Sequence, residues 1–209
     1  GATRGEVRDK INEAKRLAEA GISPAKKETV AQYLMRWHDK DTTLRPKSIH
    51  SRKLNIDRMA PHIGGLKLTE LGAKHIEAMY KSLGDSLTDR SLVQVNAVLR
   101  KAMKDAVKEG SIISNPIDRV LKQPTAARKE METLSSTEVK ALLDIDDDWT
   151  PLFTLLTGTG LRIGEALGLQ WTSVDMEHGA LSVTRSLQNV PKLGFIFNEP
   201  KTEASKADV

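Results

Sequence analysis

Residues 155–169, LLTGTGLRIGEALGL, constrain the fold more than any other part of the chain. They read as the apolar end of one helix, a Thr-Gly-Thr-Gly turn, and a second helix opening on Leu161-Arg162-Ile163-Gly164-Glu165. Apart from Glu165, the neighbours of Arg162 in this second helix are apolar or small. A guanidinium delivered to a helix start beside a tight glycine turn is well placed to hold an anion. Free backbone N–H groups and the helix dipole favour negative charge there, and the planar fork can take a phosphate through two parallel bonds. The same residues could instead form a partly buried Arg162–Glu165 pair that does no more than fix the turn.

The 209 residues are enough for two modest domains, each with a core. Cysteine is absent, so disulfides and thiolate metal sites are ruled out, and a reducing cytoplasm is the expected compartment. No run of eighteen apolar residues occurs and the N-terminus is charged, so neither a membrane span nor a secretory signal is expected. His38, His50, His62, His75 and His178 fall in no metal-ligand spacing. The formal charge of +4 hides a division: residues 1–130 carry 26 Lys/Arg against 16 Asp/Glu, whereas residues 131–209 carry 6 against 12. An excess of positive charge confined to one part is what a module tracking phosphates shows, although lysine-rich helices are often merely solvated.

The hydrophobic spacing predicts a mostly helical chain. Residues 4–20 form an amphipathic pattern, followed by a linker over 21–27. Thr29 can cap a helix in which Val30, Tyr33, Leu34 and Trp37 recur on one face. Pro46 suits the first turn of the next helix, closed by Pro61 and Gly64-Gly65. Thr69 is expected to cap a helix to about Leu83, and Thr88 or Asp89 to open the longest one, ended by Gly110 and Asn115-Pro116. Short turns between these helices imply an antiparallel bundle. Residues 120–134 read as an exposed linker, and Ser135-Ser136-Thr137-Glu138 as a capping box. The Asp146-Asp147-Asp148 run precedes a helix over 149–157 and reads as capping rather than metal binding. Residues 180–185 and 195–198 are expected to be two strands around Gln188-Asn189-Val190-Pro191.

Gly158, Gly160, Arg162, Glu165 and Leu167, followed by Leu169-Gln170-Trp171-Thr172-Ser173-Val174-Asp175, closely resemble the first arginine motif of the tyrosine recombinases, the phage-integrase family. About forty residues after Arg162, Pro200-Lys201-Thr202-Glu203-Ala204-Ser205 is similar to the family's hairpin lysine motif, and looser similarity reaches back to about Thr29. The resemblance implies a mainly α fold with a small β-hairpin or sheet: a helical core-binding bundle followed by an incomplete α+β catalytic domain. The expected divisions are 1–26, an N-terminal helix and linker at the possible end of an arm-binding domain; 27–122, the DNA-binding bundle; 123–134, a linker; and 135–209, the first part of the catalytic domain.

By the same resemblance, a tyrosine hydroxyl attacks the scissile phosphate to give a 3′-phosphotyrosyl link and a free 5′-hydroxyl, with no cofactor or metal. Arg162 would stabilise charge on the non-bridging oxygens, and Lys201 would protonate the leaving 5′-oxygen. The implied partners are a duplex attachment or crossover site and a homo-tetramer assembled on it, with no membrane, in the nucleoid region of a bacterial or phage-infected cell. Two helices of the bundle would face the major groove, offering Lys47, His50, Arg52 and Lys53 from one and Arg90, Gln94, Arg100, Lys101 and Lys104 from the other. Gln can read adenine and Arg guanine, while Lys mostly meets phosphate.

The sequence also departs from the family pattern. It holds no H-x-x-R motif, and its only tyrosines, Tyr33 and Tyr80, sit on faces expected to be core. The expectation is therefore a DNA-binding, non-cleaving portion of a longer recombinase. The alternative is a naturally truncated integrase relic that binds DNA without catalysis. A nucleotide-binding enzyme using Thr157-Gly158-Thr159-Gly160 is disfavoured, because neither G-K-[ST] nor a strand-borne G-x-G-x-x-G is present.

Overall fold

The computed structural model describes residues 28–199, together with the isolated positions Thr3, Gly5, Arg8 and Asn12. The helix expected over 4–20, the linker over 21–27 and the motif containing Lys201 therefore lie outside the described residues, apart from Gly5, Arg8 and Asn12, which are helical. The chain divides into two units, 1–128 and 129–209. Among the described residues no helix is long and apolar enough to cross a membrane.

Over residues 28–128 the first unit is built of four helices: α1 (Val30–Lys40), α2 (Pro46–Ile63), α3 (Ala73–Gly84) and α4 (Asp89–Lys108). Thr29 and Gln32 form a reciprocal cap on α1, Pro46 occupies the first turn of α2, and Thr88 caps α4. Two boundaries differ from expectation. Thr69 lies in a single 3-10 turn (Leu68–Glu70), and α3 begins only at Ala73, where the Gly72 N–H donates to His75 Nδ1 at 3.2 Å. Pro61 lies inside α2 instead of closing it, within the last turn of the helix.

The apolar faces of the four helices meet in one core that includes Tyr33, Trp37, Ile56, Met59, Ile76, Leu99 and Met103. Tyr33 and Tyr80 are both in it, and both hydroxyls are bonded: Tyr33 to the Ala102 carbonyl at 2.9 Å and Tyr80 to Asn96 Oδ1 at 2.6 Å. Burial pushes both phenols well above their usual range. The start of α1 is sewn to the loop after α2 by Val30 N–H to Leu66 O (2.8 Å) and Ala31 N–H to Gly64 O (3.1 Å). A Cβ at Gly64 would run into the Ala60 carbonyl and come within 3.1 Å of Ala31 Cβ, so only glycine allows this approach. After α4, Asn115 caps a 3-10 turn (Pro116–Arg119) that buries Pro116 and Ile117. Residues 125–138 are then exposed throughout.

The second unit holds α5 (Ser136–Leu143), α6 (Thr150–Thr159), α7 (Ile163–Ala166) and two small antiparallel sheets. The Ser135/Glu138 capping box forms as read, and Asp147 Oδ1 accepts from the Trp149 N–H at 2.7 Å ahead of α6. No three metal-ligating side chains cluster among the described residues. Residues 195–198 form a strand as expected, but its partner strand and the turn lie elsewhere. β1 (Val174–Asp175) pairs with β2 (Ala180–Leu181), and the five-residue hairpin is β3 (Ser186–Val190) with β4 (Gly194–Asn198). Gln188, Asn189 and Val190 thus belong to a strand, and the turn is Pro191-Lys192-Leu193, with Lys192 and Gly194 at positive φ. The buried core of this unit is small, with Leu161, Ala166 and Val183 at its centre.

Candidate nucleic-acid interface and arginine site

Helix α4 carries residues 90, 94, 97, 101, 104 and 108 at alternating steps of four and three, which puts them on one side. All six are exposed: Arg90, Gln94, Ala97, Lys101, Lys104 and Lys108. The opposite side, with Val95, Leu99, Ala102, Met103 and Ala106, is buried. Next to the exposed stripe, α2 and α4 border an open groove of about 510 Å³ lined by Trp37, Leu44, Lys47, Ser48, Ser51, Arg52, Ala97, Val98 and Lys101. The two helices singled out from sequence therefore share one surface. Its floor is made of small and apolar groups, and lysines from both helices contribute to it.

The candidate side chains differ in how free they are. Lys47, Arg90, Gln94 and Lys104 are exposed and hold no ion pair among the described residues, and His50 is half-buried. Lys53 pairs with Asp57 one turn on. Lys101 pairs with Asp105 at 2.8 Å, and Arg100 with Asp118 at 3.3 Å. Such exposed pairs are worth little and exchange readily for another anion.

Arg52 corrects the expectation of an exposed cation. Its side chain is only 10% exposed, lies 4.6 Å from the Trp37 ring centroid and donates to Asp41 Oδ2 at 2.7 Å. That bond, with those from Thr43, holds the Asp41 carboxyl down at about 2. Trp37 in turn donates its indole N–H to Asp105 Oδ2 at 2.9 Å. Burial pushes Asp105 up, but the bonds from Lys101 and Trp37 outweigh it and leave the carboxyl below its usual range. Arg52 thus shapes the groove wall through Trp37. Beside it, burial and the Arg52 charge push His38 below its ordinary value.

In the second unit, α6 runs unbroken to Thr159, so the Thr-Gly-Thr-Gly segment is helical except for Gly160, which takes φ +69°. Only glycine adopts that left-handed turn without strain. Leu161 is buried beneath it, and Arg162 emerges as the N-cap of α7 with its side chain 81% exposed. Glu165 holds Arg162 twice: Oε2 accepts from the Arg162 backbone N–H at 2.9 Å and Oε1 from Nη1 at 3.0 Å. The two readings of this pair merge, since the carboxylate fixes the residue and leaves most of the guanidinium open to solvent. The backbone contributes less to an anion than expected, because α7 is four residues long and the N–H of its N-cap, Arg162, is already taken by Glu165.

Sequence reasoning missed Trp37, Ser48, Ser51 and Ala97 as groove residues and Lys108 as part of the α4 stripe. Counting the 3–4 spacing one step further finds Lys108. The groove lining depends on how α2 packs on α4, which no local pattern reveals.

No family model matches the chain. Individual proteins do. It is 31% identical over 134 residues to a tyrosine recombinase XerC-like protein of Caldanaerobacter subterraneus subsp. tengcongensis, covering 60% of this chain and 34% of that protein. Against the prophage integrase IntR of Escherichia coli K12 the identity is 30% over 135 residues, 62% of this chain and 32% of the relative. Among solved structures, the Tn1549 transposon integrase in complex with transposon right end DNA matches with a TM-score of 0.70 at 21% identity, over 86% of this chain and 60% of that one. A lambda integrase tetramer bound to a Holliday junction matches with a TM-score of 0.62 at 18% identity, over 99% and 64%. The chain is similar to tyrosine recombinases and integrases over about three fifths of its length and shares the fold of the solved integrases. It spans between 28% and 44% of the length of these and the other curated relatives it matches.

Proposed function

We propose that this protein acts in site-specific DNA recombination, integrating or excising a mobile element. Unit 1 holds the duplex and unit 2 supplies the first part of the cleavage site. One observation carries the reading: exposed Arg90, Gln94 and Lys104 lie on the same side of α4 as Lys101, which borders a groove with Lys47 of α2 in the basic unit, while Arg162 stands exposed in the acidic one. Lysines at that surface neutralise phosphates and give affinity independent of sequence. Arg90 and Gln94 are of a kind to read base edges, guanine and adenine respectively. Solved integrases of the same fold bound to DNA, one of them a tetramer, support a duplex partner and assembly on it. The compartment that goes with this reading is the cytoplasm, at the nucleoid.

In the proposed reaction a tyrosine Oη forms a bond to phosphorus and the bond to the 5′-oxygen breaks, so the phosphodiester energy stays in a 3′-phosphotyrosyl link. Arg162 stabilises the non-bridging oxygens as charge develops there, and Lys201 gives its proton to the departing oxygen. Neither Tyr33 nor Tyr80 fits the nucleophile, because both are buried in unit 1 with bonded hydroxyls. The 209-residue chain alone is therefore expected to bind DNA without cleaving it.

The test is covalent trapping on a nicked suicide substrate. The intact recombinase should form an adduct, Arg162→Ala should not, and the 209-residue chain should not. An adduct formed by the 209-residue chain would overturn the division of roles. The buried tyrosines also favour a second reading, a DNA-binding integrase relic without catalysis. Failure of the intact protein to form any adduct while still binding duplex would establish it.

A further inference from the structure

The β3–β4 hairpin is fastened to the arginine helix by contacts that require particular residues. A Cβ on Gly164, inside α7, would lie 2.7 Å from Ser186 Oγ and 2.8 Å from the Leu187 carbonyl oxygen. A Cβ on Gly168, just past α7, would lie 2.8 Å from the Arg185 carbonyl oxygen. Backbone therefore rests on backbone at both places, and any side chain would force helix and strand apart. Arg185 then closes the contact from the other direction. Its Nε donates to the Gly168 carbonyl at 2.8 Å, and its guanidinium lies 4.0 Å from the centroid of Phe197, which is paired with Leu187 across the hairpin. No carboxylate forms an ion pair with Arg185 among the described residues; one hydrogen bond and one ring face orient it. Lysine could supply neither the planar stacking face nor the Nε donor.

We propose that Gly164, Gly168, Arg185 and Phe197 form a clasp of positioning residues. It holds β4, the strand that the Lys201 motif follows in sequence, in fixed register against the helix that Arg162 caps. This rests on the recombinase reading above. β4 ends at Asn198, three residues before Lys201, a reach of at most about 10 Å. A hairpin free to shift or twist on α7 would move the strand end from which that lysine is reached, and a misplacement of about 1 Å can cost about a hundredfold in rate.

The test uses the intact recombinase with Arg185→Ala, Arg185→Lys and Phe197→Leu, beside Lys201→Ala. Cleavage of ordinary DNA should fall about ten- to a hundredfold in all three clasp variants while duplex affinity stays within about twofold. A 5′-bridging phosphorothiolate substrate, whose leaving group departs without a proton, should restore the clasp variants together with Lys201→Ala. An unchanged rate would overturn the clasp. Full recovery by Arg185→Lys, or a loss that follows DNA affinity and salt, would do the same and make Arg185 a phosphate contact. Rescue of Lys201→Ala without rescue of Arg185→Ala would also overturn it. If the sulfur substrate fails to restore Lys201→Ala itself, the lysine assignment falls. The clasp is then decided by rate and affinity: a rate loss at constant affinity keeps it, and an unchanged rate or a parallel loss removes it.

Discussion

The two units solve the problem of burial differently. In unit 1 the four helices close on a core that leaves Tyr33, Leu34, Met59, Ile76, Leu99 and Met103 with almost no exposed surface. In unit 2 neither α5 nor α6 buries a residue fully, although α6 reads Thr-Pro-Leu-Phe-Thr-Leu-Leu. Trp149, Ile163, Trp171, Phe195 and Phe197 are more than half exposed. Charge follows the same division, basic in the unit with the large core and acidic in the other. Stability depends on apolar area removed from water, so unit 1 has the means to fold alone and unit 2 has few. Under the proposed function, binding and chemistry fall to units whose described cores differ greatly in size, and the smaller one relies on local contacts such as the Gly160 turn, the Glu165–Arg162 pair and the Arg185 contacts.

The largest effect expected is on chemistry. Arg162→Ala should lower cleavage by the intact recombinase about a hundred- to a thousandfold, the order seen when one charge-stabilising donor is removed. Melting should change little, because the side chain is exposed and its ion pair with Glu165 is worth little. A variant that cleaves normally in a single-turnover assay would reduce Arg162 to a turn residue. The next effect contrasts the cores. Leu99→Ala should destabilise unit 1 by about 2–5 kcal/mol, whereas Leu155→Ala, half-buried in unit 2, should cost roughly 1 kcal/mol. Chemical denaturation of the two variants reads this, and equal costs would erase the contrast. Trp37→Phe keeps the ring but removes the bond to Asp105, and should cost about 1–3 kcal/mol.

A smaller effect sharpens the comparison through pH. Burial and the nearby Arg52 charge lower the folded pKa of His38 below its value of 6.5 when exposed. The unfolded chain then binds more protons, so the stabilising contribution is fully present above pH 6.5 and is lost as pH falls from there towards the folded value. Unit 1 should lose stability in that window, and His38→Gln should flatten the dependence. Asp41, Asp105 and Glu109 are also lowered, which shifts their own losses to the acid range below the ordinary carboxylate values.

Local chemistry made much of this legible. The Thr29, Thr88 and Ser135 caps, the Pro46 start and the buried stripe of α4 are short-range patterns, and each forms where it was read. Thr69 failed as a cap because the chain first makes a 3-10 turn to bury Leu68 and Leu71. The strand expected over 195–198 lies within β4, but its partner was misplaced because Gln188-Asn189 resembles a turn, while Pro191-Lys192-Leu193 is where the backbone reverses. The place of Arg162 at a helix start beside the glycine turn was legible in sequence. Arg185 was not, since its partners Gly168 and Phe197 lie 17 and 12 residues away and meet it only in the folded unit. Arg52 was misjudged because its spacing placed it on an open face, and only the arrival of Trp37 and Asp41 covers it.

The central claim, that the basic bundle is the body that holds DNA, is tested most directly by titrating residues 28–128 and residues 129–209 separately with duplex DNA across a salt series. The account predicts binding by the bundle alone, with a log–log salt slope of several units, each of Lys47→Ala and Lys104→Ala reducing the slope by about 1. A slope near zero for the bundle, or binding carried instead by residues 129–209, would contradict it.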